Sequence, residues 1–191
     1  MKRRYLFAIV VFLVLLCGGA GYHFFFTHDK ELTLLEAYKL GNEEALAWDK
    51  NAKLMLITSV DELDKKTTTL GSNGKRSIWN MMFGSKEKKS VLILNIKNGK
   101  IVINKTVLEN FKDSELISPG ELLLDSPYMV DQAKKNNLKP GETWPKGYHF
   151  TVKKDEQGVH FAVVGQDENH KLTKLYFDPK TGELVGTERT Q

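Results

Sequence analysis

Leu94-Asn95-Ile96-Lys97-Asn98-Gly99-Lys100-Ile101-Val102 is answered further along the chain by Leu175-Tyr176-Phe177-Asp178-Pro179-Lys180-Thr181-Gly182-Glu183-Leu184-Val185. Both stretches read as an apolar strand, a turn carrying glycine, one charged residue and a second apolar strand. Asn98-Gly99 is a strong hairpin signal, because a tight two-residue turn of the primed type needs positive φ at both central positions. Working outward, each copy is preceded by a helix-like segment and further strand-like runs in the same order. The repeat therefore predicts an α+β fold built from two tandem helix-plus-antiparallel-sheet modules, each helix lying across one face of its own strands.

The first module's helix is written in its cap. Thr33-Leu34-Leu35-Glu36 has the form of a capping box, with a hydroxyl at the cap and a carboxylate three residues on. Leu34, Ala37, Tyr38, Gly41, Ala45, Trp48 and Ala52 then recur at spacings of three and four, which marks one apolar stripe on a helix over about Thr33–Asn51. Runs 53–60, 78–83, 90–97 and 100–107 read as strands, with a polar stretch through Gly74 separating the first two. A connector containing Ser118-Pro119-Gly120 leads to the second helix. There Ser126 reads as the hydroxyl cap and Pro127 as the first helical residue, where the missing N–H costs nothing. Runs 148–153, 159–165, 171–178 and 183–188 complete the second module.

At the N-terminus, Met1-Lys2-Arg3-Arg4 precedes an apolar run from Tyr5 to Phe26. A run of about 20 apolar residues is long enough to cross a bilayer as a helix. The basic cluster keeps its own end cytoplasmic. The expectation is a single-pass transmembrane signal anchor over 1–26 in the cell membrane, followed by modules 27–112 and 113–191 on the extracytoplasmic side. Two other readings of the same stretch are a signal-peptidase site at Gly18-Gly19-Ala20 and a lipid anchor on Cys17, the latter disfavoured by Leu16 before it.

Composition narrows the function. Three of the 28 basic residues are Lys2, Arg3 and Arg4, against 24 acidic residues in all, so the rest of the chain is close to neutral and nucleic acid is not an expected partner. Cys17 is the sole cysteine. The modules therefore contain no disulfide, no thiolate nucleophile and no cysteine ligand for zinc. The histidines at 149, 160 and 170 lack the spacing of helical ligand pairs, and His149 and His160 fall out of register across their hairpin. Neighbouring carboxylates such as Asp155-Glu156 and Asp167-Glu168 point apart or sit in loops, so they form no acid–base dyad. Ser59 and Ser126 have no histidine signature nearby. No catalytic residue, cofactor-binding residue or metal ligand is expected. Trp48 and Trp79 fall on apolar stripes and read as core. Trp144, Pro145 and Tyr148, in and after a loop before a strand, are the candidate partner contacts.

The closing stretch Lys174 to Val185, with its strand, Asp178, Thr181-Gly182 and Glu183 before a last strand, resembles the final hairpin of PepSY domains. The preceding helix with Ala133 and Leu138 is similar to the PepSY order of elements. The likeness runs over about Leu124 to Glu188 and is looser over Leu32 to Val107. A membrane anchor followed by two such PepSY/cystatin-like modules resembles the TseB-like cell-wall elongation regulators of Gram-positive bacteria. The resemblance implies an extracytoplasmic, noncatalytic regulatory module acting on an envelope protein, and it supplies no catalytic residues. A binder of small molecules or wall glycans, and a hydrolase whose site is dispersed in sequence, are the other functional classes.

Overall fold

The computed structural model describes residues 30–61, 70–143 and 145–190. Glu31–Gln191 forms one compact unit. Its elements are helix α1 (Leu34–Trp48), strands β1 (Lys53–Ser59), β2 (Ile78–Ser85), β3 (Ser90–Lys97) and β4 (Lys100–Val107), helix α2 (Ser126–Lys135), and strands β5 (His149–Asp155), β6 (Gly158–Gln166), β7 (Leu172–Phe177) and β8 (Leu184–Arg189). All eight strands belong to one antiparallel sheet in the order β4-β3-β2-β1-β5-β6-β7-β8.

That order corrects the expectation of an anchor followed by two separate modules. The first strands of the two halves pair with each other: Leu56 stands opposite Lys153, Ile57 opposite Val152 and Thr58 opposite Thr151. An isolated four-stranded half would leave β1 or β5 as an open edge, a ready template for unwanted pairing, and joining them removes both edges. The transmembrane segment 5–26 lies outside the described residues. Among the described residues no helix is long and apolar enough to cross a membrane.

One apolar layer runs under both helices. Leu34, Ala37 and Ala45 of α1 and Met129, Val130 and Ala133 of α2 share a single buried cluster with Ile57, Trp79, Met81, Leu94, Phe150, Val152, Phe161 and Phe177 from the sheet. Gly41 lets α1 approach β2 closely, since a Cβ there would meet Met81 Sδ at 2.5 Å. The capping box of α1 forms as the sequence predicts: the Glu36 N–H donates to Thr33 Oγ1 (3.2 Å) and the Thr33 N–H to Glu36 Oε2 (2.9 Å).

The start of α2 differs from expectation. Asp125, not Ser126, is the cap, because Ser126 is recruited elsewhere. Its Oγ accepts the Leu34 N–H (2.9 Å) and donates to the Gly74 carbonyl (2.6 Å), while Asp125 Oδ1 accepts the Leu35 N–H (3.0 Å). The opening residues of α2 thus satisfy free N–H groups in the first turn of α1. This contact between helix starts ties the halves together above the sheet, as the β1–β5 pairing does within it.

The two closing hairpins keep their likeness down to backbone detail. Gly99 (φ 74°) and Gly182 (φ 77°) both occupy the left-handed region. Each hairpin also carries an irregularity just beyond its turn, between Asn95 and Ile96 in one and between Tyr176 and Phe177 in the other. The extra residues are Val102 and Val185, each 55% exposed at the outer edge of the sheet. Bulges at exposed edges discourage strand addition.

The helices cover one face of the sheet and leave the other bare over most of its width. Along that bare face one row runs Ile103, Asn95, Asn80, Thr58, Thr151, Ala162 and Tyr176, each opposite the next. Among the described residues one end of this face is covered. The connector between β4 and α2 crosses there, placing Leu116 and Phe111 against Gly84, whose missing side chain makes the room.

Candidate functional site

Where β1 ends and β2 and β5 begin, four polar side chains meet in the interior. Ser59 follows the alternation of β1, Arg76 precedes β2, His149 opens β5, and Asp61 lies just past β1. Ser59 Oγ is 3.2 Å from His149 Nδ1, and His149 Nε2 is 3.0 Å from Asp61 Oδ1. Arg76 Nη2 donates to the same Asp61 Oδ1 (2.7 Å) and stands 3.2 Å from His149 Nε2. Asp61 Oδ2 accepts the Lys146 N–H (3.1 Å), and Arg76 Nη1 donates to the Lys146 carbonyl (3.2 Å). Arg76 is 2% exposed and His149 7%.

The electrostatics follow from this packing. Burial pulls the His149 pKa below its usual value and the Arg76 guanidinium adds to the effect, against the opposing pull of Asp61 and the Ser59 carbonyl. Burial works to raise the Asp61 carboxyl, but the Lys146 N–H, the His149 ring and Arg76 together outweigh it and hold Asp61 low. At neutral pH the cluster is therefore a carboxylate–guanidinium pair with a neutral imidazole wedged beside it.

Serine, imidazole and carboxylate in contact have the connectivity of an activated nucleophile with its base and orienting acid. The surroundings argue against that use. Ser59 is 6% exposed, and its Oγ already accepts the Phe150 N–H at 3.0 Å. Arg76 competes for the imidazole nitrogen that faces Asp61. Two surface hollows, of about 450 and 440 Å³, lie elsewhere. Asn136, Asp167, Lys171 and Arg189 line the first, Glu121, His160 and Asp178 the second, and neither reaches Ser59 or His149. The cluster's evident work is to clamp β1, β2, β5 and the loop at Lys146 to one another.

Sequence reasoning missed this cluster because Ser59 and His149 meet only through the pairing of β1 with β5. Nothing local signals that pairing. The other histidines behave as the sequence suggests: His160 pairs with Asp155 (3.1 Å) and His170 with Glu142 (3.3 Å) at the surface, and His160 lies opposite Lys153, out of register with His149. Among the described residues no group of three or more histidine, cysteine, aspartate or glutamate side chains could hold a metal ion. Of the three candidate partner contacts, Trp144 lies outside the described residues. Pro145 is buried. Tyr148 is 4% exposed, and its hydroxyl donates to the Leu138 carbonyl at 3.0 Å.

The bare sheet face is the second candidate. Its midline carries polar pairs: Asn95 Nδ2 donates to Asn80 Oδ1 (2.6 Å), and the hydroxyls of Thr58 and Thr151 share a hydrogen bond (2.7 Å) across the β1–β5 seam. Beside this row Leu56, Met82 and Ile93 stand opposite one another, half-buried. At its far end the Tyr176 hydroxyl donates to Glu188 (2.6 Å). Burial and that carboxylate push its pKa up to about 12, so the phenol stays neutral.

No family model and no curated protein matches the chain. Among solved structures, the crystal structure of a candidate lipoprotein from Clostridium difficile 630 is similar, with a TM-score of 0.58 and 12% sequence identity over 80% of this chain and 92% of that one. At that identity the likeness is one of fold.

Proposed function

We propose that the chain is a noncatalytic binding or regulatory module held at the extracytoplasmic side of the cell envelope, where it acts on a protein partner. The observation that carries this reading is the bare sheet face. Antiparallel sheets usually solvate one face with polar alternation. Here half-buried Leu56, Met82 and Ile93 lie side by side between Lys153 and Lys105, next to a polar row in which Asn95 bonds Asn80 and Thr58 bonds Thr151. Such a face offers a strip of apolar area bordered by polar groups, as protein interfaces do. The fold likeness to a candidate lipoprotein supports an envelope location, and the PepSY-like closing hairpin supports a regulatory rather than catalytic role. The occupied hydroxyl of Ser59 supports the same conclusion.

A photocrosslinking amino acid placed at Met82 or Ile93, in the full chain in its own cells, is expected to trap one discrete protein. The same probe at Glu43, on the exposed side of α1, is expected to trap none. Equal yields from both faces, or none from the sheet, would remove the sheet face as the docking surface. Protease added outside intact spheroplasts is expected to destroy a C-terminal tag, and a protected tag would reverse the location. Covalent labelling of Ser59 by a fluorophosphonate would overturn the noncatalytic part.

A further inference from the structure

The buried cluster at the β1–β5 seam does something that a merely structural clamp need not do. Asp61 Oδ1 accepts from Arg76 Nη2 and faces His149 Nε2 at the same time, so one carboxylate oxygen serves two nitrogen groups that lie 3.2 Å apart. While the imidazole is neutral, Nε2 either donates to Asp61 or accepts from Arg76, and both arrangements are satisfied. An imidazolium offers only N–H donors. Protonation would set a second cation at hydrogen-bond distance from a guanidinium that is 2% exposed, with a single carboxylate between them. Buried like charges at that distance repel strongly, because burial leaves little screening between them.

Among the described residues, the charged groups facing His149 are Asp61, from the end of β1, and Arg76, from the residue before β2. Glu31 adds its field at Arg76. Lys146 contributes only backbone groups, and Ser59 is uncharged. No further carboxylate among these groups touches the ring to absorb the new charge. We propose that the Ser59–Asp61–Arg76–His149 cluster is an acid-sensitive latch: protonation of His149 parts the start of β5 from the end of β1 and frees the loop at Lys146. The sequence of events is local. His149 leaves Arg76, Asp61 loses its imidazole partner, and the Lys146 N–H and carbonyl lose the two groups that hold them. Among the described residues no other histidine is buried in the sheet, and the rest of it stays shut.

The sign follows from linkage. Because the folded state disfavours the imidazolium, the unfolded or opened state takes the proton first. The latch is fully closed above the ordinary histidine value of about 6.5 and weakens as the pH falls below it. Asp61, held below the ordinary aspartate range by the Lys146 N–H, His149 and Arg76, titrates only in stronger acid, so the two events separate. The latch does not depend on which partner, if any, covers the sheet face.

Hydrogen exchange of the purified full chain at pH 7 and pH 5, corrected for intrinsic exchange rates, tests this directly. Protection of residues 57–61 and 145–150 is expected to fall by up to about thirtyfold at pH 5, which lies about 1.5 units below the ordinary histidine value of about 6.5. Protection in β2–β3 and β6–β7 is expected to hold. His149→Gln, which keeps a neutral side chain, is expected to abolish the difference between the two pH values. Should that variant not fold, the His149 imidazole carbon shift in the unmodified chain supplies the second readout, and its midpoint should lie below the ordinary histidine value, at the acid end of the range over which protection is lost. Equal protection at both pH values, a retained response in the variant, or a shift midpoint at or above the ordinary histidine value would each overturn the latch.

Discussion

Trp79→Ala is expected to lower the urea midpoint of the purified protein far enough to leave it marginally folded. Trp79 is fully buried and stacks on Phe150 with ring centroids 6.2 Å apart. Its indole N–H donates to the Leu32 and Arg76 carbonyls at 3.2 and 3.1 Å. Truncating a buried Trp costs about 3–5 kcal/mol for lost contacts and the cavity left behind. A domain of this size is stable by only about 5–15 kcal/mol. The ring also holds Leu32, which pairs through its backbone with Arg76, so the chain's entry into the fold loosens with it. Trp48 is a useful contrast. It is half-buried at the end of α1, with the Lys88 ammonium 5.0 Å from its ring centre, and its truncation should cost clearly less. A Trp79→Ala midpoint no lower than that of Trp48→Ala would contradict this ranking.

Arg76→Met is expected to produce the other large loss, about 3 kcal/mol, the lower end of the range for breaking a buried ion pair by removing one partner. The lower end applies because the Asp61 side chain keeps 16% of its surface in contact with solvent. Methionine keeps most of the arginine stem, so the loss reports on charge and hydrogen bonds more than on packing. Asp61→Asn in the same chain should then recover part of the loss, because the orphaned carboxylate is gone. A double-mutant cycle on urea midpoints measures this coupling. Strict additivity of the two changes would show that Arg76 and Asp61 do not act as a pair.

Local patterns carried most of the elements, and their limits are instructive. The capping box at Thr33 and Glu36 located α1, and period-two alternation with Asn98-Gly99 placed β3 and β4 at their observed bounds. Those signals work because the residues that decide them are sequence neighbours. The cap of α2 was misread for the opposite reason. Ser126 has a suitable side chain, but its oxygen is spent on Leu34 and Gly74, remote residues that no local pattern names. The largest error, two separate modules in place of one sheet, has the same origin. Thr58 and Thr151 meet without a turn between them, and a strand read from its own residues does not reveal whether it is an edge or a neighbour. The Ser59–His149–Asp61–Arg76 cluster was invisible for that reason, since every contact that His149 makes with Ser59, Asp61 and Arg76 depends on the seam.

The central claim is that the halves are one cooperative body, joined by β1–β5 pairing and by Ser126 and Asp125 at the start of α1. Native-state hydrogen exchange at pH 7 across a range of low denaturant concentrations tests it most directly, by comparing the slowest amides of β2–β3 with those of β6–β7. One body requires both sets to open with the same free energy and the same denaturant slope, because neither can be exposed without unfolding the whole sheet. Two distinct isotherms, divided between β1 and β5, would contradict it.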